Sequence, residues 1–379
     1  MSNMTRGELL CPLLQDMQNH SNNNNNKEAN SVVVCIHGLF SCLGILENAL
    51  ILWVVGFRLR QRTVASVWVL NLAMSDFLAT LTLPLFTSYL YYSHSWELGN
   101  PLCKTQASIF FLNMFVSAFL LAAISLDRLL LVVKPVWCQN HRSVAGAWKV
   151  CALGWLWAAI NTLPYTLFRS VIKKHDGRNL CYHNFALILS SQATLERDCK
   201  VRHAATAISK LLLAFLFPLA VIAGSYIQIG LILRKRSKRR NFIKMVTFVI
   251  AAFALCWAPY HIFCMIELTA QYRRNNLSLV EVGLPLATTI AFLNPVLNPI
   301  LYAFSCPHFC EKIRQSLGAV FATLVEEEGG LLMVPGKSIR AHIRRKSSRD
   351  VSPATPGSRK GSLSPSKSPD IQQPFPLTL

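Results

Sequence analysis

Lys210 stands in an apolar run, Ala-Ile-Ser-Lys210-Leu-Leu-Leu-Ala-Phe-Leu-Phe-Pro218. A lone ammonium there is costly and calls for an anion, either internal or carried by a ligand. The internal candidate is Glu267, seven residues past Tyr260 and on its helical face. Asp76 lies inside another apolar run, where insertion alone costs about 3 kcal/mol. It should face inward and bind either a cation such as sodium or the polar groups of Asn48, Asn113, Ser117, Asn294 and Asn298. A neutral acid that merely glues helices is the plainer alternative. Asp127-Arg128 closes a third run, and Arg128 can pair with Asp127, reach neighbouring helix ends or simply snorkel to headgroups. No nucleophile, base and orienting group fall together, so no enzyme is indicated.

These groups sit on seven apolar blocks, at about 32–57, 65–90, 103–133, 145–168, 203–233, 242–270 and 278–304. Each is long enough to cross a bilayer as a helix. In hydrocarbon the backbone must bond to itself, and no barrel-type alternation appears. The fold expected is an all-α membrane protein, a seven-helix bundle. The head, 1–31, lacks the pattern of a cleavable signal, so the first span would act as anchor. Pro307, Phe309, Ile313 and Leu317 suggest an amphipathic eighth helix over 305–319, followed by a disordered cytoplasmic tail, 320–379.

The net charge of +20 gathers beside the spans, in 58–62, in 234–240 and in the tail. That placement excludes a nucleic-acid partner and suits anionic membrane lipids. It also puts the N-terminus outside and the tail inside, by the positive-inside rule. Asn3 and Asn19 fit glycosylation acceptors on the outer side. In the tail, Ser347, Ser348 and Ser362 follow basic residues and suit phosphorylation, which could recruit arrestin.

Four of the twelve cysteines fall on the outer side, and four allow three pairings. A Cys103–Cys181 bridge would pin the second outer loop over the bundle and leave Cys11 to pair with Cys199. Free Cys11 and Cys199 is the other possibility. That loop region, 169–202, carries seven cations against three acids, a field that steers anions. Arg169 and Lys210 adjoin apolar helix, whereas Lys173 and Lys174 read as solvated. Phe86, Phe110, Met114, Tyr182, Tyr260 and Leu284 make the upper bundle apolar or aromatic. An apolar chamber with a few cations suits a lipid carboxylate.

Asn48, Asp76, Asp127-Arg128, Trp155, Pro218, Cys256-Trp257-x-Pro259 and Asn298-Pro299-x-x-Tyr302 fall in order, each on its own span. That ordered set resembles the class A (rhodopsin-like) G-protein-coupled receptors over roughly 32–318. Leu129 departs from the aromatic residue usual after Asp-Arg in that class. His37-Gly-Leu, Ser95-Trp96-Glu-Leu-Gly, Ser108-Ile-Phe-Phe-Leu-Asn-Met-Phe115, Pro135-Val-Trp and Asp176-Gly-Arg further resemble the prostaglandin D2 receptors of the chemoattractant branch. The resemblance implies that prostaglandin D2 places its carboxylate against Arg169, Tyr182, Lys210 and Tyr260, under an N-terminal lid. His183 and Gln106 stand where that family carries tyrosine and histidine, which implies a shifted ligand preference and a relative from outside the mammals. The resemblance also implies switch roles for Trp257, Asn298 and Tyr302, and coupling to inhibitory-class G proteins.

Two alternatives share the fold: a receptor for a peptide chemoattractant with a free carboxylate, and a non-signalling decoy. A light-driven pump would need a lysine in the last span, and 278–304 has none.

Overall fold

The computed structural model describes residues 10–19, 27–59, 61–187, 191, 193–232, 239–270 and 277–305, with side chains described for most of them. Asn3, the proposed eighth helix and the tail serines lie outside that set. Of Tyr302 only the helical backbone is described.

Among the described residues, seven helical spans are long and apolar enough to cross a membrane: Ser31–Arg58, Val64–Tyr91, Gly99–Val133, Val144–Leu167, Leu195–Ile232, Phe248–Ala270 and Ser278–Pro299. The first is α2 (Lys27–Trp53), extended by a π-turn over Val54–Arg58; the second is α3 (Val64–Tyr91) and the third α4 (Gly99–Val133). The fourth is α6 (Val144–Leu167), reached through the short α5 (Pro135–His141). Local chemistry sets these starts. Thr63 and Ser66 form a reciprocal capping box at α3, Ser143 caps α6, and Pro135 occupies the first turn of α5.

The fifth span begins at Leu195, about two turns earlier than hydropathy places it, because its first turns are polar. It consists of α7 (Leu195–Leu211), a π-turn over Leu212–Leu216, and α8 (Phe217–Ile232). Pro218 provides no N–H and its ring crowds the preceding turn, and the π-turn lies where that conflict falls. The sixth span lies in α9 (Arg239–Ala270). The seventh is split at Phe292 into α10 (Leu277–Ala291) and α11 (Leu293–Ser305).

The third span is central, packing on the second, fourth and fifth. The first and second approach closely: a side chain at Gly44 would run into Thr80. His37, fully buried, ties three spans together through Thr87 Oγ1 at 3.1 Å and Thr289 Oγ1 at 2.8 Å.

Two elements at the head end fall where the sequence suggests only loop. Residues 169–183 form an antiparallel hairpin, β1 (Arg169–Lys173) with β2 (Asn179–His183), in register Val171↔Cys181. Its turn uses Gly177 at φ +88°, a conformation that glycine adopts without strain. The head folds into α1 (Pro12–Asn19), and Asn19 is exposed at its end. Two turns of helix are marginal alone. Leu13, Leu14 and Met17 hold α1 by packing with Ile172, Phe185 and Val280. Gln18 adds a bond to the Lys173 carbonyl at 2.8 Å. Disulfides join Cys11 to Cys199 and Cys103 to Cys181, so head and hairpin are both stapled to the bundle.

Candidate functional site

Beneath α1 and the hairpin lies a cavity of about 350 Å³. Its walls include Phe86, Gln106, Phe110, Tyr182, Tyr260 and Leu284, and Met17 of the lid helix closes part of the mouth. Lys210 reaches in from the fifth span. Its Nζ lies 5.3 Å from the Phe111 ring, 5.3 Å from Tyr165 and 5.2 Å from Tyr260. Aromatic faces attract a cation but do not neutralise it. Among the described residues no carboxylate pairs with Lys210.

The Lys210–Glu267 pair, which the sequence offers as the internal alternative to a ligand anion, is therefore not formed. Glu267 accepts instead from the Tyr182 hydroxyl and lies 3.8 Å from His203 Nε2. The reason is rotational: the hairpin delivers Tyr182 to Glu267, while Lys210 is enclosed by rings.

Arg169, at the start of β1, supplies the second cation. Its Nη1 donates to His183 Nε2 at 3.1 Å, and its guanidinium lies 5.9 Å from the Tyr182 ring. Burial pushes Arg169 down to about 10, partly offset by Tyr260, Glu267 and Tyr89, so it stays charged at neutral pH. Burial, then Arg169 and Lys210, hold His183 well below the ordinary histidine range. A neutral imidazole is the form able to accept from the guanidinium.

The other two Lys and Arg side chains that line the cavity, Lys174 and Arg178, are paired. Lys174 is 5% exposed and bonded to Glu281 at 3.3 Å, not solvated as the sequence suggests. Arg178 binds Asp176 at 2.6 Å, which lowers the acid's pKa and raises the guanidinium's. Among the described residues, Lys210 and Arg169 are the cavity-lining Lys and Arg side chains without an ion pair.

Toward the other end, Asp76 is wholly buried. Its Oδ1 accepts from Asn113 at 2.9 Å and Ser117 at 3.3 Å, and its Oδ2 from Asn298 at 2.8 Å. Asn48 donates to the Gly44 and Pro295 carbonyls. Trp257 sits between the two regions, packed on Phe110 at 6.1 Å and Tyr260 at 6.4 Å. The buried oxygens Asn48 Oδ1 and Asn298 Oδ1 lack partners, as do Trp257 Nε1 and Asn294 Nδ2. The Asp76 carboxylate, the Ser117 hydroxyl and the orphaned Asn298 oxygen are hard oxygen donors on neighbouring residues, chemistry that fits a hard cation.

Residues 47–302 match the model of the 7 transmembrane receptor (rhodopsin family). The chain belongs to that family. The receptor is 48% identical to prostaglandin D2 receptor 2 of Rattus norvegicus over 90% of this chain and 85% of the relative. It is 47% identical to prostaglandin D2 receptor 2 of Mus musculus, over 94% of this chain and 92% of the relative. Chemerin-like receptor 1 of Rattus norvegicus matches at 35%, over 80% and 83% of the two chains. The protein is thus a multi-pass G-protein-coupled receptor of the plasma membrane, a signalling receptor by family rather than an enzyme.

In this receptor the Asp127 carboxylate is engaged by a residue to which the sequence gives no role. Arg142, just past α5, donates through Nε to Oδ1 at 2.7 Å and through Nη2 to Oδ2 at 2.9 Å. The pair ties the connection between the third and fourth spans to the end of α4. It is part-exposed, so solvent screening keeps its worth modest despite the bidentate geometry. Arg142→Ala should lower the thermal midpoint of the purified receptor, at a cost of about 1 kcal/mol. The reciprocal exchange, Asp127→Arg with Arg142→Asp, should recover most of it. A midpoint unmoved by Arg142→Ala would deny the pair any structural role.

His203 and Glu281 are site residues that sequence reasoning misses, and it gives Arg142 and His37 no structural role. Each acts through a partner more than ten residues away, so no local motif marks it.

Proposed function

We propose that this receptor responds to prostaglandin D2 or a closely related anionic lipid. The ligand carboxylate meets Lys210 and Arg169, with Tyr182, Tyr260, His183 and Gln106 as polar neighbours. One observation carries the reading: Glu267 accepts from Tyr182 and Glu281 pairs with Lys174, so among the described residues neither cavity acid forms an ion pair with Lys210 or Arg169, and both cations face a largely aromatic chamber. A cavity of about 350 Å³ under a disulfide-stapled helix falls in the size range of small-molecule sites. The likeness to prostaglandin D2 receptor 2 supports the same ligand class.

Binding draws the rings around Lys210 together, and Tyr260 and Phe110 pass that change to Trp257 and the Asp76 network. A sodium ion held by Asp76, Ser117 and the amide oxygens favours the resting arrangement. The head faces outward, and the tail end engages an inhibitory-class G protein, lowering cyclic AMP and driving chemotaxis. Phosphorylation at Ser347, Ser348 and Ser362 recruits arrestin.

A peptide chemoattractant is the second reading, favoured by the 34% identity to the C3a anaphylatoxin chemotactic receptor of Oncorhynchus mykiss. The lid helix across the mouth counts against it. The test is inhibitory G-protein activation in transfected cells, with prostaglandin D2, other prostanoids and chemotactic peptides titrated in parallel. A saturable response selective for prostaglandin D2 is expected. Silence toward prostanoids from receptor shown at the cell surface, or a response to peptide alone, overturns the reading.

A further inference from the structure

Glu267 presents a difficulty for any anion-binding cavity. It lines the same cavity as Lys210 and Arg169, yet an acid there should repel a ligand carboxylate or cancel one of the cations. The geometry around it answers this. His203 projects from α7, with its side chain 7% exposed and that of Glu267 8% exposed, and its Nε2 lies 3.8 Å from Glu267 Oε2. The imidazole is held in place by packing. It stacks on Phe185 at 5.6 Å, and the other stacked partner of Phe185 is His183, at 5.8 Å. Phe185 is itself fixed by Arg202, which donates to its carbonyl at 2.6 Å. Glu267 is held from the hairpin side by the Tyr182 hydroxyl.

We infer that His203 is a positioning residue for ligand binding: as an imidazolium it ties up the Glu267 charge and leaves Lys210 and Arg169 to an anionic ligand. The inference rests on the carboxylate reading of those two cations. The elements about His203 carry Asp198, Lys200, Arg202 and Lys210 on its own span, Arg169, Tyr182 and His183 on the hairpin, and Glu267 on the sixth span. The head contributes Asp16 and the non-titrating Cys11–Cys199 bridge. Lys200 is engaged by Glu196 and Asp198 by Thr194, and Glu267 Oε2 is the carboxylate oxygen seen 3.8 Å from His203.

The sign follows from charge. With His203 protonated and Glu267 ionised, the His203–Glu267 pair is neutral. As pH rises through the histidine range, between about 5 and 8, the pair becomes net negative. Affinity for an anion should then fall, while affinity for an uncharged analogue should not.

The experiment measures binding of prostaglandin D2 and of its methyl ester to full-length receptor in nanodiscs across that pH range. Wild type should bind the acid several-fold more weakly at the basic end. His203→Gln should weaken acid binding about tenfold at the acidic end, flatten the pH profile and leave the ester unmoved. His203→Lys should restore tight binding, again without pH dependence. In a Glu267→Gln background, His203→Gln should have no further effect. Parallel pH profiles for wild type and His203→Gln would overturn the inference, as would equal losses for acid and ester.

Ligand-free melting separates the two levels of the reading. If prostaglandin D2 binds at no pH, the ligand assignment fails. The stabilisation lost in His203→Gln should still shrink as pH rises, and vanish in Glu267→Gln. If it does neither, the pair itself is refuted.

Discussion

Replacing Lys210 with methionine is expected to weaken prostaglandin D2 binding by about thirtyfold or more, with little effect on the methyl ester. Removing one partner of a desolvated charge pair typically costs 2 kcal/mol or more, and each 1.4 kcal/mol is tenfold. Methionine keeps the length and apolar stem that pack among Phe111, Tyr165 and Tyr260. The ligand-free receptor should therefore not suffer. Lys210 has no counter-ion among the described residues, so its burial is a cost that ring contacts offset only in part. Lys210→Met should match or exceed wild type in thermal midpoint while failing to bind the acid. The check is a paired measurement: ligand-free melting, then acid and ester binding on the same preparations. Unchanged acid affinity would remove Lys210 from the site. A collapse of ligand-free stability would make it a structural lysine instead.

That combination, a cation that stabilises nothing until the ligand arrives, is only half legible in sequence. A lysine in an apolar run is conspicuous from composition alone, and Asp76 is conspicuous for the same reason. The seven spans follow from hydropathy because the bilayer leaves the backbone few alternatives, and observed ends differ by a few residues except at Leu195. What sequence withholds is rotation. Glu267 and Lys210 lie on adjacent spans and invite pairing, but the choice between Lys210, His203 and Tyr182 depends on where each helical face points and on where the hairpin hangs.

The hairpin was in principle readable. Asp176-Gly177 is a turn signal flanked by Val171-Ile172 and Leu180, yet its charged ends read as loop. The lid helix had a weaker signal. Pro12 opens eight residues whose apolar side chains make sense only against Ile172, Phe185 and Val280. The Lys174–Glu281 bond had none, since a basic loop residue is ordinarily solvated.

The second large effect is expected at Asp76. Asparagine is nearly isosteric there, but half of its amide is a donor. Asp76 faces three donors, from Asn113, Ser117 and Asn298, and a carboxylate satisfies all of them. In Asp76→Asn, one oxygen must serve three donors and the new NH₂ meets donors instead of acceptors. Orphaning a buried group costs about 1–3 kcal/mol, so a loss of about 2 kcal/mol in stability is expected. G-protein activation should fall with it, because the same contact joins the second span to Asn298 in the seventh. Moving the acid across the contact, with Asn298→Asp added to Asp76→Asn, restores one carboxylate and should recover much of the stability. Sodium discriminates further. If the ion sits on Asp76, Ser117 and the amide oxygens, it should raise the melting temperature of wild type and not that of Asp76→Asn, with potassium as the ionic-strength control. Equal sodium effects on both proteins would leave Asp76 as a helix–helix contact alone. A double exchange no better than the single variant would place the loss in something other than the Asp76–Asn298 bond.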